Sequence, residues 1–154
     1  MLKTREIRPS DLDVITAHRR KMFEDMGADL ATLDAMAHNF ASWVEACLTD
    51  GRYFGFFVEE DNKVVAGIGM MLVDWPPHIL HPESDQRGYI LNLYVEPEYR
   101  GRGIATDLTS LAETRLAARG IRYAILHASP KGRPLYEKLG WASTSEMAKT
   151  LSKS

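Results

Sequence analysis

The sequence has a single cysteine, Cys47, among its 154 residues. One cysteine cannot form a disulfide within the chain, so nothing indicates an oxidising compartment or a disulfide-stabilised scaffold. Cys47 lies in a helical pattern between two apolar residues, and we interpret it as a small buried hydrophobic side chain rather than a reactive thiol. A chain of this length buries an ordinary core without such cross-links.

Long apolar runs and clustered positive charge are also missing. No run approaches the roughly 18 apolar residues that a membrane-spanning helix requires, so we expect no membrane partner. Residues 1–6 lack the apolar core of a signal peptide, which favours a cytoplasmic location. The formal net charge is -2, and neither end of the chain is strongly basic, which argues against a nucleic-acid-binding protein. Because there is also no repeat, low-complexity tract or linker, we expect one domain over residues 1–154.

The first half of the chain has the pattern of a strand, two helices and a hairpin. Ser10 and Asp13 resemble a capping box at the start of the first helix. Asp61-Asn62 separates two segments rich in β-branched and aromatic residues, which predicts an antiparallel hairpin. The predicted elements are a strand over 2–8, helices ending near 25 and spanning 30–48, and strands over 53–59 and 64–73.

The second half begins with a proline-rich segment, 74–88, which we expect to be a loop; long ordered loops are often functional. Two strands joined by a helix must run parallel, with a right-handed crossover. The expected fold class is therefore α/β, a mixed α+β sheet flanked by helices on both faces. The remaining predicted elements are strands over 89–95 and 122–127, helices over 102–119 and 133–139, and a last strand within 141–151.

The most informative stretch, Arg100–Ala105, lies where a strand becomes a helix. A helix N-terminus offers unpaired N–H groups and partial positive charge, and is a natural anion site. Gly101 and Gly103 remove side chains that would keep a pyrophosphate from the backbone, while Arg100 and Arg102 add charge. The spacing fits neither the phosphate loop of nucleotide hydrolases nor the dinucleotide fingerprint. It indicates a diphosphate-bearing cofactor, with a tight turn carrying surface arginines as the alternative.

The sequence Arg-Gly-Arg-Gly-Ile-Ala over 100–105 resembles the Arg/Gln-x-x-Gly-x-Gly/Ala signature of the GNAT N-acetyltransferase superfamily. Residues 91–97 are similar to that family's central strand. The Leu-Tyr-Glu-Lys-Leu-Gly-Trp sequence over 135–141 resembles its Leu-Tyr-x-x-x-Gly-Phe segment. The resemblance includes sequence motifs over residues 89–141. Before residue 89 it is limited to the order of the predicted helices and strands. It implies the GNAT-like acyl-CoA N-acyltransferase fold and an enzyme that moves an acetyl group from acetyl-CoA to a primary amine.

The resemblance also implies where the coenzyme lies. The central strand would carry a bulge and splay from its parallel neighbour, leaving a gap for the pantetheine arm, which would pair with the backbone of Leu93, Tyr94 and Val95. Ser129 stands where many relatives have an asparagine that touches this arm, so the contact differs here. The residues expected to hold the pyrophosphate are Gly101, Arg102, Gly103, Ile104, Ala105 and Thr106. Arg100 is a further expected cofactor-binding residue.

Two residues are candidates for proton transfer. Tyr136 aligns with the family's tyrosine near the coenzyme sulfur, and the resemblance implies a general acid for the leaving thiolate; a packing tyrosine is the alternative. Tyr89 stands near where some relatives carry a glutamate. His127 is the candidate base, because histidine titrates near neutral pH. Its alternatives are a backbone-bonded histidine at a strand end and a water relay from Asn92.

The remaining expectations concern partners. His78 and His81 lack a third ligand at suitable spacing, so we expect no metal. By resemblance, the acceptor would lie between the first two helices and the loop over 74–88. A small-molecule amine is the favoured acceptor; a protein or peptide amine and a non-catalytic acyl-CoA sensor are the alternatives. Homodimers are common in the family, which makes a second copy of the chain a further candidate partner.

Overall fold

The computed structural model describes residues 1–152 and contains five β-strands and four α-helices. None of the helices within that range is both long and apolar enough to cross a bilayer. Short 3-10 turns precede the first and third helices. The elements are β1 Leu2–Glu6, α1 Leu12–Asp25, α2 Leu30–Asp50, β2 Phe54–Glu60, β3 Lys63–Asp74, β4 Gln86–Val95, α3 Ile104–Ala118, β5 Ala124–Leu126 and α4 Arg133–Lys138.

The strands form one sheet in the chain order β1-β2-β3-β4-β5. The first four run antiparallel, whereas β4 and β5 are parallel and are joined through α3. The predicted mixed sheet is thus confirmed. Since α3 follows β4 after a short connection, its N-terminus lies near the carboxyl end of β4, where ligands of such sheets commonly bind.

Helices cover both faces of the sheet, as predicted. Successive strand residues point to opposite faces, so Phe56 and Phe57 of β2 enter different halves of the core. Phe57 packs with residues of α1 and α2, and Phe56 with residues of α3. Cys47 is buried on the α2 side, in agreement with its predicted packing role. The α1–α2 half contains Ile15, Phe40, Val44, Cys47, Leu48, Tyr53 and Phe57.

The hairpin turn lies where it was predicted, whereas the N-terminal cap of the first helix differs from the prediction. Asp61 and Asn62 both have left-handed backbones, with φ of 50° and 65°, as a two-residue hairpin turn requires. The capping box predicted from Ser10 and Asp13 is wrong. The Asp11 carboxylate accepts the N–H of Arg8 at 2.7 Å instead, because a 3-10 turn over Pro9–Asp11 delays the start of α1 to Leu12.

The last predicted strand is also wrong. Within the described chain, residues 139–152 contain neither helix nor strand. Serine, threonine, lysine and glutamate dominate this segment, and β5 has only three residues to offer as a pairing edge. The segment instead runs beside β5 and α4, where it lines a cleft.

Candidate active site

The loop before α3 presents a row of free backbone donors. Gly101 and Gly103 have φ of 79° and 81°, and the first backbone hydrogen bond of α3 runs from the N–H of Asp107 to the Gly103 carbonyl at 3.0 Å. In the described chain, the N–H groups of 101–106 have no hydrogen-bond acceptor. Consecutive N–H groups at a helix N-terminus form an anion-binding concavity. The predicted pyrophosphate residues therefore lie together.

The two glycines are required by backbone conformation rather than by crowding. A Cβ added at Gly101 or Gly103 would meet no atom within 4 Å. Positive φ is costly for other residues, by about 1–2 kcal/mol. The backbone of both glycines is thus uncrowded on the side where a Cβ would lie.

The side chains of Arg100 and Arg102 turn back onto the protein. Arg100 Nε donates to the Val95 carbonyl at 2.8 Å, and its Nη2 donates to the Asp25 carboxylate at 3.0 Å. Arg102 Nη2 donates to the Glu98 carbonyl at 3.0 Å. These bonds fix the loop on the end of β4. Both arginines add positive charge near the N-terminal end of α3, residues 101–106, which we call the helix mouth. The unpaired hydrogen-bond donors there are backbone N–H groups.

A bulge interrupts β4 at Asn92. Gly67 of β3 pairs with Tyr94 and Gly69 pairs with Leu91, so β4 has one residue more than β3 between these pairs. Asn92 has a left-handed backbone with φ of 56° and a buried side chain. A bulge bends a strand and leaves ladder groups unpaired.

The end of β4 also separates from β5. Pairing between the two strands ends at Ile90 with Leu126, whereas β4 continues to Val95. The bulge and the gap that the family resemblance implied are therefore present. Leu93, Tyr94 and Val95, the predicted pantetheine-binding residues, lie in the segment that has no strand on the β5 side.

Tyr136 lines a cleft of about 350 Å³ between β5, α4 and residues 141–148. Its ring is half-buried and lies edge-on to Trp141, with centroids 6.3 Å apart. Burial raises the pKa of the Tyr136 phenol. No hydrogen-bond partner of its hydroxyl occurs among residues 1–152. This phenol is thus protonated at neutral pH and has its proton available to a ligand.

His127 shares that cleft and is paired with a residue on the neighbouring strand. Its Nδ1 lies 2.7 Å from the Tyr89 hydroxyl, and its Nε2 lies 3.7 Å from a carboxylate oxygen of Glu146. The side chain is exposed, and the predicted alternative of a backbone-bonded histidine is not what the structure shows. Sequence reasoning missed the Tyr89 pairing, because the register of two parallel strands is not visible in a sequence.

Ser129 has a structural partner. Its Oγ accepts the N–H of Gly132 at 3.1 Å, and its carbonyl accepts the N–H of Arg133 at 2.9 Å. These bonds shape the turn that starts α4 and so help to place Tyr136. The expected contact of Ser129 with a pantetheine arm stays a prediction.

Arg19 and Asn92 form a further pair near the bulge. Arg19 Nη1 donates to the Asn92 side-chain oxygen at 2.7 Å, and the Asn92 amide donates to the Tyr53 hydroxyl at 2.9 Å. Arg19 lies in the helical stretch expected beside the acceptor, but no motif singles it out. The signal was its spacing, four residues after the buried Ile15, which places both side chains on one helix face.

The two loop histidines do not resemble a metal site. His81 is buried, and its Nε2 accepts a hydrogen bond from Arg87 Nε at 2.9 Å, while the Arg87 guanidinium lies over the Trp75 ring. In the part of the chain that the structure describes, no three potential metal-ligating side chains come together. His81 and Arg87 instead hold the loop over 75–85 to the start of β4.

The chain is similar to several acetyltransferases. The profile of the Acetyltransferase (GNAT) family matches residues 15–141. A GCN5-related N-acetyltransferase from Ralstonia eutropha JMP134 is 46% identical with a TM-score of 0.96, over 98% of this chain and 99% of that one. A predicted acetyltransferase from Clostridium acetobutylicum, whose structure contains acetyl-CoA, is 26% identical with a TM-score of 0.90, over 98% and 96%.

One curated relative is matched over part of its length. N-alpha-acetyltransferase 30 of Schizosaccharomyces pombe is 33% identical over 88 residues, which is 55% of this chain and 55% of that protein. The family profile, by contrast, runs from α1 to the Gly-Trp pair after α4 and includes strands β2 to β5 and the N-terminal end of α3. The likeness inferred from the sequence is therefore confirmed: the chain belongs to the Acetyltransferase (GNAT) family and is an acyltransferase.

Proposed function

We propose that this chain transfers the acetyl group of acetyl-CoA to a primary amine of a small molecule. The observation that carries the proposal is the row of unpaired N–H groups over 101–106 beside the open edge of β4. The first feature suits a diphosphate, and the second suits an extended amide-bearing arm that pairs with a strand edge. The acetyl-CoA in the Clostridium acetobutylicum protein supports the same cosubstrate.

In the proposed reaction the amine nitrogen attacks the thioester carbon directly. The new C–N bond forms as the C–S bond breaks, so no covalent enzyme intermediate is needed. Tyr136 donates its phenolic proton to the leaving thiolate. Support for this role comes from its position in the cleft, its free hydroxyl and the burial that keeps it protonated.

The amine must lose a proton for the reaction to balance. His127 is the proposed acceptor of that proton, with the Tyr89 hydroxyl on one ring nitrogen and Glu146 near the other. Burial raises the pKa of Tyr89, which disfavours a phenolate. The Tyr89 oxygen therefore takes the amine proton as its own proton moves to His127 Nδ1, so the phenol is protonated before and after the step. The exposed His127 then releases the proton to solvent.

A small acceptor is supported by the recessed polar groups under α1. The side chains of Arg19, Asn92 and Tyr53 are linked by hydrogen bonds on the inner side of that helix. Asn92 and Tyr53 are buried, and the half-buried Arg19 is the member of the three that a compact ligand can reach more easily than a folded protein can. The second candidate is the N-terminal amine of a protein. The name of the Schizosaccharomyces pombe relative supports it, at 33% identity over 55% of that protein.

Two measurements test the proposal. Calorimetry with the full chain is expected to show saturable acetyl-CoA binding in the micromolar range. A thiol reagent is then expected to report release of coenzyme A when a panel of small amines is supplied, and less release with unstructured peptides of free N-terminus. Release with peptides alone would favour the second candidate, and absence of acetyl-CoA binding would refute the cosubstrate assignment.

A further inference from the structure

Arg19 is a cation without an anionic partner. No carboxylate within residues 1–152 forms an ion pair with it, and the charges that act on its pKa are those of two phenols, Tyr53 and Tyr89. The guanidinium instead lies over the rings of Phe23 and Phe40, with its Cζ 5.1 Å and 4.5 Å from the ring centroids. Burial lowers its pKa.

Other arginines of the described chain have the carboxylate partners that Arg19 lacks. Arg20, the next residue along α1, bonds carboxylates of Glu24 and Asp34 at 3.0 Å and 2.9 Å. Arg5 is bonded by both Asp11 and Glu59. Arg19 has one side-chain acceptor, the neutral Asn92 amide, and its Nε is buried with no hydrogen-bond partner. A buried charge without an anionic partner lowers the stability of the folded chain. The presence of arginine at position 19 therefore needs an explanation other than stability.

The position of Arg19 relates it to the reaction. Its partner Asn92 forms the bulge of β4, next to the segment where β4 leaves β5. Tyr89 lies three residues before Asn92 on the same strand and is hydrogen-bonded to His127. Burial raises the pKa of Tyr89, and the positive charge of Arg19 opposes that shift. The uncompensated guanidinium is therefore near the proposed base, on the α1 side of the sheet, where the acceptor would approach.

We propose that Arg19 binds a carboxylate of the acceptor, so that the substrate class is a small amine that carries a carboxylate, such as an α-amino acid. This inference rests on the proposed function. A guanidinium binds a carboxylate through parallel N–H donors, and the pairing neutralises the unpaired charge. A phosphate-bearing amine fits less well, because the neighbouring cations Arg20 and Lys21 are already paired with carboxylates and only one charge is free.

The test compares α-amino acids with their carboxamides, which lack the anionic group. Because the amine of a carboxamide is also less basic, each rate is calculated for the unprotonated amine. For each pair, thiol release gives kcat/KM. The wild-type chain is expected to prefer acids over amides by about 10- to 100-fold, the usual range for a hydrogen bond to a charged group. Arg19→Met is expected to abolish that preference through KM, Arg19→Lys to restore part of it, and both to bind acetyl-CoA with unchanged affinity. Arg20→Met is the matched control and should keep the preference.

A structural role for Arg19 predicts different results. Arg19→Met would then lower turnover of acids and amides equally and would lower the midpoint of thermal unfolding. The proposal instead expects turnover of acids to fall much more than turnover of amides, whatever the midpoint does, because Arg19→Met also removes the hydrogen bond to the buried Asn92. Amides accepted as well as acids by the wild-type chain would overturn the inference. If the chain binds acetyl-CoA but acetylates no amine, the inference about Arg19 is also overturned. The assignment of acetyl-CoA as the ligand would remain.

Discussion

The Tyr89 hydroxyl lies 2.7 Å from His127 Nδ1, across the parallel pair β4 and β5. If the two act as one proton relay, Tyr89→Phe and His127→Gln should each lower kcat/KM for amine acetylation by about 10- to 100-fold. The double variant should be little worse than either single variant, because groups that act as a unit lose their effect together. Steady-state thiol release measures all three.

Tyr123→Phe is the matched control for this cycle, since that ring packs against the Arg87 guanidinium and is not among the residues that line the cleft. Its kcat/KM should equal that of the wild-type chain. If the effects of Tyr89→Phe and His127→Gln multiply, the two side chains act independently and the relay does not exist.

Tyr136→Phe should lower kcat by about 100-fold and leave the Kd for acetyl-CoA nearly unchanged, because the lost hydroxyl acts on the leaving thiolate. Since burial raises the pKa of Tyr136, the decline of wild-type activity at high pH should also disappear in this variant. Rapid-mixing kinetics and calorimetry separate the two quantities. An unchanged kcat would assign the acid role to another group.

The sequence was sufficient where local chemistry decides structure. Gly101 and Gly103 between a strand and an amphipathic helix predicted an exposed helix N-terminus, whose N–H groups over 101–106 lack acceptors in the described chain, and the turn at Asp61-Asn62 predicted the hairpin. It was insufficient for contacts between distant segments. Tyr89 with His127 and Arg19 with Asn92 are separated by 38 and 73 residues, and strand register and helix placement bring them together.

Tertiary contacts account for both wrong predictions. The capping box assigned to Ser10 and Asp13 fits the helix pattern, but the Asp11 carboxylate is also bonded by the guanidinium of Arg5 in β1, which favours the 3-10 turn. The strand predicted within 141–151 had no partner edge, because β5 is only three residues long. In the first case a tertiary contact overrode a weak local preference, and in the second the tertiary contact that a strand requires is absent.

His18 should make stability fall in mild acid. Burial lowers its pKa to about 4, the nearby Glu96 opposes that shift, and the Nδ1 atom is buried without a partner. In the unfolded chain its pKa is near 6.5, so between these values the unfolded chain binds a proton that the folded chain does not. The free energy of unfolding should therefore drop by about 2 kcal/mol from pH 7 to pH 5 through this residue.

Urea unfolding at the two pH values measures that drop, and His18→Gln supplies the comparison because glutamine does not titrate. The variant should lose about 2 kcal/mol less than the wild-type chain over the same interval. Equal losses would show that His18 titrates normally in the folded protein.

Gly103→Ala should weaken acetyl-CoA binding by at least about 10-fold, because alanine disfavours the left-handed backbone that aims the N–H groups of the α3 mouth. Gly51→Ala is a close control: both glycines have φ of 81°, neither has an atom within 4 Å of an added Cβ, and Gly51 ends α2 outside the candidate site. Strain should lower thermal stability similarly in both variants, whereas calorimetry should find the binding loss in Gly103→Ala alone. Equal affinities would mean that the loop geometry does not hold the pyrophosphate, since the strain at the two positions is the same.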